Sequence, residues 1–179
     1  MNFTELNIPG VFVVSNFVSK DERGVFVKTY NSARFAEIGF INDFKESYYS
    51  TSYKNVIRGM HFQIPPHEHE KLVYVVEGKI LDVVLDLRKD SPTFQSCISV
   101  ELESMTNSIL IPKGCAHGFL TLTQTATVVY SVTTVYQKKA DAGIKWDSFG
   151  FDWNITQPVI SQRDNEFIPL DMFKSPFRL

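Results

Sequence analysis

Short apolar or alternating segments recur along most of the chain, and Gly, Pro, Asn, Asp or Ser separates them. Successive side chains of a β-strand point to opposite faces, so alternation of this kind indicates strands with one buried face. The segments are Val11–Val14, Val25–Tyr30, Leu72–Val76, Ile80–Leu87, Cys97–Val100, Ser108–Ile111 and Thr127–Tyr136. Many short strands separated by turn residues predict an all-β sandwich or barrel.

Helical patterns are few. Ser32–Ile38 follows Asn31 and stops at Gly39, a residue type that often ends helices, so a short helix is expected there. A second helical turn is expected near Leu170–Phe173. No repeat or low-complexity linker divides the 179 residues, so residues 1–179 are predicted to form a single domain.

The composition excludes several classes of protein. The net charge of −2 gives no reason to expect a nucleic-acid partner. No apolar run approaches the roughly 20 residues that cross a membrane, and Met1–Glu5 does not resemble the start of a signal peptide. Cys97 and Cys115 lie far apart without a paired motif and are predicted to be buried, reduced thiols. We therefore expect a soluble cytoplasmic protein with no membrane partner.

The alternation also places charged residues on strand faces that a closed barrel would turn inward. Along Ile80–Arg88, Asp82 and Asp86 share one face, and Lys71 stands at the start of an apolar strand. A carboxylate in such an interior needs a partner. Tyr130 alternates in a further strand. An interior that holds Asp, Lys, His and Tyr predicts a pocket.

Two of the four histidines, His61 and His117, fall in short polar breaks between the predicted strands. Histidine changes its charge near neutral pH, which suits it to proton transfer. His61 lies close in sequence to Arg58, and Tyr130 is expected to lie opposite it. From these residues alone, His61 could transfer a proton, bind a metal or have only a structural role.

An ordered set of motifs covers residues from about 5 to 165. With these motifs the chain resembles the dTDP-4-dehydrorhamnose 3,5-epimerase family. The segments are Asp21–Gly24, Val56–Gln63, Lys71–Val73, Asp82, Asp86–Arg88, Ser91–Phe94, Ile111–Gly114, Ala116–Phe119, Val129–Tyr130, Ile144–Asp147 and Ser161–Asp164. The resemblance implies a double-stranded β-helix (cupin jelly roll) with one or two short helices. It also implies a homodimer to which residues 1–50 contribute N-terminal strands and a helix.

The resemblance further implies a catalytic set that needs neither a metal nor another cofactor. His61 would be the general base, oriented by Asp164, and Tyr130 would return a proton from the opposite face. Lys71, with His117 nearby, would stabilise the enolate oxygen of a 4-keto sugar. A proton beside a ketone is acidic only if the enolate charge is stabilised as it forms, so a base and a fixed cation suit the reaction.

The implied substrate is a nucleotide-diphosphate sugar. Arg23 and Arg58 would bind its diphosphate, as arginine suits phosphate, and Phe26 and Tyr136 would flank its base. The remaining residues assigned to substrate binding are Lys28, Glu46, Tyr48, Gln63 and Asp82, of which Asp82 could instead orient a histidine.

Several positions depart from the family pattern. Lys28 stands where members usually have Glu, Glu46 and Tyr48 replace Gln and Asn, and Val135 replaces an aromatic residue. Changes of this kind alter which base or sugar fits. The nucleotide (dTDP, CDP or GDP) and the inverted carbon (3, 5 or both) therefore stay open.

Other readings compete with the epimerase. His67 and His69, with His117, resemble the ligand motifs of metal cupins, although Lys71 would repel a metal and Pro65–Pro66 predicts a solvated loop. A non-catalytic sugar-binding cupin and a relative that isomerises the ketone between carbons 3 and 4 are further alternatives.

Overall fold

Thirteen strands and three short helical segments make up the fold in the computed structural model, which describes residues 1–179. The helical segments are α1 (Ser32–Ala36), α2 (Gln162–Asn165) and a 3₁₀ turn (Leu170–Met172). The strands are β1 (Asn2–Glu5), β2 (Phe12–Ser15), β3 (Phe17–Asp21), β4 (Gly24–Lys28), β5 (Glu46–Tyr53), β6 (Ile57–Gln63), β7 (Lys71–Glu77), β8 (Lys79–Asp86), β9 (Cys97–Glu103), β10 (Asn107–Ile111), β11 (Cys115–Thr121), β12 (Thr125–Val132) and β13 (Asp141–Gly143).

The strands form two large antiparallel sheets and one hairpin. The six-stranded sheet has the order β1-β2-β10-β7-β12-β5, and the five-stranded sheet has the order β13-β6-β11-β8-β9. Strands β3 and β4 pair only with each other. The all-β jelly roll expected from the sequence is confirmed.

Apolar side chains from both sheets meet in the main core. This cluster of 14 buried residues includes Val73 and Val128 from the six-stranded sheet and Ile80 and Phe119 from the five-stranded sheet. Two smaller clusters cover the outer faces: one packs the C-terminal segment on the five-stranded sheet, and the other packs α1 on the six-stranded sheet. Burial of apolar area on this scale is the main stabilising term of such a fold.

The predicted helices are confirmed, and one helix was not predicted. The side chain of Asn31 accepts a hydrogen bond from the Arg34 N–H and so caps α1, which ends shortly before Gly39. The 3₁₀ turn lies within the expected segment Leu170–Phe173. Helix α2 is only four residues long, too short to produce a periodic pattern in the sequence.

The predicted strand positions hold for all seven segments, with different ends, but two conclusions were wrong. β12 ends at Val132, so Tyr136 lies beyond it. His61 and His117 lie inside β6 and β11 and not in breaks between strands. Gly59 on β6 and Gly118 on β11 allow these two strands to approach closely, since a Cβ on Gly59 would lie 2.5 Å from the Cα of Gly118.

Both cysteines are free thiols, but only Cys115 is buried. Cys97 is half-buried, because β9 is the edge strand of its sheet. No helix in the structure has the length and apolar character needed to span a membrane.

Candidate active site

A histidine–carboxylate pair connects β6 to the C-terminal segment. Nε2 of His61 lies 2.9 Å from Oδ1 of Asp164, and the Gly59 N–H donates to Oδ2 of the same carboxylate at 3.1 Å. Asp164 is held by α2, because its own N–H donates to the Ser161 side chain that caps this helix. The pair leaves Nδ1 of His61 as the ring nitrogen not bound to Asp164.

The surroundings of this pair favour a neutral imidazole and an ionised carboxyl group. Burial lowers the pKa of His61, and the positive charges of Lys71 and Arg163 lower it further, against the opposing effect of Asp164. Burial alone would raise the pKa of Asp164, but hydrogen bonds from His61 and the Gly59 N–H outweigh it and lower this pKa. A neutral imidazole beside a carboxylate is able to accept a proton.

Lys71 brings a buried amine to the same place. Lys71 is the first residue of β7, and its Nζ donates to the carbonyl oxygen of His61 at 3.1 Å. The residue is only 5% exposed. Burial lowers the pKa of Lys71 to about 8, although Asp82 and Asp141 oppose this shift. The amine is therefore mainly charged at neutral pH, in surroundings where its field is poorly screened.

A second histidine–carboxylate pair lies deeper in the five-stranded sheet. Nε2 of His117 on β11 is 2.7 Å from Oδ2 of Asp82 on β8, and both side chains are buried. Asp82 lines neither cavity of the site. Its contact with His117 fits the alternative that the sequence left open, in which Asp82 orients a histidine.

Tyr130 comes from the other sheet. Its hydroxyl lies 3.4 Å from Oγ of Ser50, its ring stacks on Tyr48 with 4.9 Å between centroids, and the edge of His117 lies against it. Burial raises the pKa of Tyr130 well above its ordinary value. The phenol is thus protonated at neutral pH and can act as a donor.

These side chains line two adjoining cavities. The inner cavity, of about 170 Å³, is bounded by Tyr48, Ser50, Arg58, His61, Lys71, His117, Phe119 and Tyr130. The outer cavity, of about 320 Å³, shares Tyr48, His61 and Lys71 with it. His61 belongs to the five-stranded sheet and Tyr130 to the six-stranded sheet, so an imidazole and a phenol approach the inner cavity from opposing layers.

A sequence comparison identifies the family of the chain. The sequence model described as dTDP-4-dehydrorhamnose 3,5-epimerase matches residues 5–171 of the chain. The chain belongs to this family. A dTDP-4-dehydrorhamnose 3,5-epimerase from Shigella flexneri is 37% identical over 180 residues, which cover 97% of this chain and 99% of the relative.

Solved structures of the epimerase family have the same fold. The 3,5-epimerase of Legionella pneumophila, in complex with dTDP-4-keto-L-rhamnose, matches with a TM-score of 0.94 at 30% identity and covers 99% of this chain and 98% of that chain. A 3'-monoepimerase from Streptomyces bikiniensis, in complex with dTDP-quinovose, matches with a TM-score of 0.86 at 26% identity and covers 93% of this chain and 86% of that chain.

Most residues that the family resemblance assigns to substrate binding line one of the cavities. Glu46 accepts a hydrogen bond from the Tyr136 N–H at 2.7 Å, and Gln63 accepts one from the Gln137 N–H at 2.6 Å. Arg58 lines the inner cavity, and its Nε donates to Ser52 at 2.8 Å. Glu46, Tyr48, Gln63 and Tyr136 line the outer cavity.

Three predicted binding residues do not reach either cavity within one chain. Arg23, Phe26 and Lys28 lie on the β3–β4 hairpin, and none of them lines the cavity walls. Arg23 forms an exposed ion pair with Asp21. The hairpin pairs with no other strand of the chain. Neither the sequence motif nor the strand pairing therefore shows what the hairpin contacts.

Three ionisable residues of the outer cavity were not assigned to the epimerase site from the sequence: Asp141, Arg163 and His69. Arg163 bonds Asp141 at 2.7 Å, and its place immediately before Asp164 was the available signal. His69 lies on the predicted loop, and its half-buried side chain lines the outer cavity. Burial, with the charges of Lys71 and His117, lowers the pKa of His69 to about 3.

His69 does not take part in a ligand cluster. Its Nδ1 lies 3.3 Å from the amide nitrogen of Gln63, and its buried Nε2 has no hydrogen-bond partner in the protein. The structure contains no group of three or more His, Cys, Asp or Glu side chains arranged to hold a metal ion. The structure therefore offers no set of ligands that would support the metal-cupin alternative.

Proposed function

We propose that this protein is an isomerase that inverts carbon 3, carbon 5 or both in a dTDP-linked 4-keto-6-deoxysugar, by proton abstraction and reprotonation through an enolate. One observation carries the proposal. His61, paired with Asp164, lies where the two cavities join, with the Lys71 amine beside it and the Tyr130 phenol in the opposing sheet.

His61 acts as the general base. Its lowered pKa keeps the imidazole neutral, and Asp164 on Nε2 stabilises the positive charge that develops when Nδ1 takes the proton. A well-placed base of this kind contributes about 10²–10⁴ in rate. Asp164 also fixes the orientation of the ring, because its second oxygen is held by the Gly59 N–H.

Lys71 stabilises the enolate that abstraction leaves behind. Its ammonium group is buried, so its charge acts on the sugar oxygen with little screening by water. His117, held by Asp82, adds a second imidazole to the inner cavity. The reaction changes no oxidation state, and we propose that it needs neither a metal nor a nicotinamide.

Tyr130 delivers the proton to the opposite face of the enolate. Inversion needs a donor on the side away from His61, and the two residues come from opposing sheets. The hydroxyl of Tyr130 is protonated at neutral pH because burial raises its pKa. After turnover, His61 loses its proton to solvent and Tyr130 regains one.

The outer cavity and Arg58 bind the nucleotide part of the substrate. Arg58 offers its exposed guanidinium to the diphosphate, and Tyr136 provides a ring against which a base can stack. The dTDP-sugar complexes of the structural relatives support dTDP over CDP or GDP.

We further propose that the protein works as a homodimer, with residues 1–179 folding as a single domain. The β3–β4 hairpin exposes Phe17, Val25 and Phe26 to solvent in one chain, an arrangement that covering by a second copy would relieve. Such a dimer would bring Arg23, Phe26 and Lys28 to the partner's cavity. Molar mass by light scattering tests it, and a monomer would exclude this use of the hairpin.

Proton NMR in D₂O tests the reaction. The enzyme is incubated with dTDP-4-keto-6-deoxyglucose and, separately, with the CDP- and GDP-linked sugars, each with and without a chelator. We expect deuterium at carbon 3, carbon 5 or both with the dTDP sugar, unchanged by the chelator. No exchange with any sugar would refute the epimerase, and loss on chelation that added metal restores would refute the metal-free mechanism.

A further inference from the structure

Tyr48 and Tyr130 form a directly opposed pair across strands β5 and β12. Their rings are nearly parallel, with 4.9 Å between centroids and 19° between planes. Aromatic residues opposite each other in an antiparallel sheet restrict each other's rotamers. The orientation of the Tyr130 ring is therefore set partly by its neighbour on β5.

The ring of Tyr130 packs in the main core, but hydrogen bonding does little to hold its hydroxyl. Its hydroxyl has one hydrogen-bond partner, Oγ of Ser50, at a long 3.4 Å. The ring of His117 lies at 70° to the ring of Tyr130, with 6.1 Å between centroids. Of these two aromatic neighbours, only Tyr48 stacks parallel to Tyr130.

We propose that Tyr48 is a positioning residue, whose stacked ring holds Tyr130 in the orientation that directs its hydroxyl into the inner cavity for the second proton transfer. The inference rests on the proposed function, since it assigns Tyr48 to the inversion step. Tyr48 lines both cavities, so its ring also forms part of the wall where they join.

The ring of Tyr48, and not its hydroxyl, carries this role. The hydroxyl makes no hydrogen bond to another side chain or to the backbone in the structure. Burial, together with the charges of Glu46 and Asp141, raises the pKa of Tyr48 to about 12. The group is therefore uncharged at neutral pH and supplies no charge to the enolate.

The test separates abstraction from inversion. In D₂O, abstraction followed by return to the same face gives deuterated starting sugar, whereas deuteron delivery by Tyr130 gives inverted product. Tyr48→Leu should raise the ratio of deuterated starting sugar to inverted product by about three- to tenfold, the range that loss of an aromatic pair gives. Tyr48→Phe keeps the ring and should leave this ratio within twofold of the wild type.

Two further variants make the test specific. Tyr49 is the neighbour of Tyr48 on β5 and is 72% exposed, so Tyr49→Leu serves as the matched control and should not change the ratio. In a Tyr130→Phe background, Tyr48→Leu should change the ratio less than twofold, because Tyr48 acts through Tyr130.

Several outcomes would overturn the inference. If Tyr48→Leu raises KM but leaves the ratio of deuterated starting sugar to inverted product unchanged, Tyr48 contributes to substrate binding only. Equal effects of Tyr48→Phe and Tyr48→Leu on this ratio would also overturn the inference. Independent effects of the Tyr48 and Tyr130 substitutions would overturn it as well. If the wild type incorporates no deuterium from any sugar, the proposed function itself fails, and this result is distinct from each of the others.

Discussion

The two histidine–carboxylate pairs of the protein have almost the same internal geometry but differ in their surroundings. Nε2 of His61 lies 2.9 Å from Asp164, and Nε2 of His117 lies 2.7 Å from Asp82. The His61 side chain is 30% exposed, whereas His117 and Asp82 are buried almost completely. The first pair joins a strand to a distant helix, and the second joins two neighbouring strands.

This difference teaches that a histidine–carboxylate pair does not by itself mark a general base. The pair that exchanges protons needs access to substrate and to water, which His61 has at the junction of the cavities. A pair enclosed by sheet serves mainly to hold one ring in place. We therefore assign proton abstraction to His61 and a supporting role to His117.

The largest effect is expected on removing the exposed imidazole. His61→Asn leaves no base at the cavity junction, so turnover should fall by about 10²–10⁴. Product formation by NMR measures this, and calorimetric binding of dTDP should stay near the wild-type value. Near-normal turnover would show that another residue takes the proton.

A smaller loss is expected on neutralising the carboxylate of the same pair. Asp164→Asn removes the negative charge that stabilises the imidazolium, and turnover should fall by about 10²-fold with little change in KM. Steady-state kinetics measure both constants. A rise in KM with unchanged kcat would instead place Asp164 in substrate binding.

The pH dependence of kcat/KM should sharpen the comparison further. As pH falls through the lowered pKa of His61, the imidazole gains a proton and the base is lost, so the acid limb should lie below the ordinary value of 6.5. As pH rises through about 8, Lys71 loses its charge, and the rate should fall about tenfold per unit. A Lys71→Met variant should lack this alkaline limb; a limb that persists in this variant would argue against Lys71.

The smallest expected effects concern stability and separate the two carboxylates. Asp82→Asn replaces the carboxyl group that contacts the buried His117 ring, so the free energy of unfolding should fall by about 1–3 kcal/mol. Asp164→Asn should lower it less, because His61 remains in contact with the cavity. Urea denaturation of both variants checks this order, and the reverse order would undermine the structural role of Asp82.

The sequence determined the fold class and much of the site. Alternation predicted the strands, and the ordered motifs named His61, Lys71, Tyr130 and Asp164, which the structure brings to one place. The contact between His61 and Asp164 joins residues 103 positions apart, so no local pattern could reveal it; only the family resemblance did.

Other parts of the site depend on packing that the sequence does not show. His69 follows two prolines and looked like part of a solvated loop, yet Gln63 and the cavity wall enclose its ring. The alternation of residues predicted that Asp82 lies on an inward strand face. It did not show that the carboxyl group contacts His117. The contacts of the hairpin that carries Arg23 and Phe26 could not be predicted either, because its two strands pair only with each other.

Deuterium incorporation in His61→Asn and His117→Asn, measured side by side on the same dTDP-4-keto sugar, tests the central claim most directly. Our account predicts that exchange at carbons 3 and 5 falls by about 10²–10⁴ with His61→Asn and much less with His117→Asn. Exchange that survives in His61→Asn and disappears in His117→Asn would contradict it and would move the base to the buried pair.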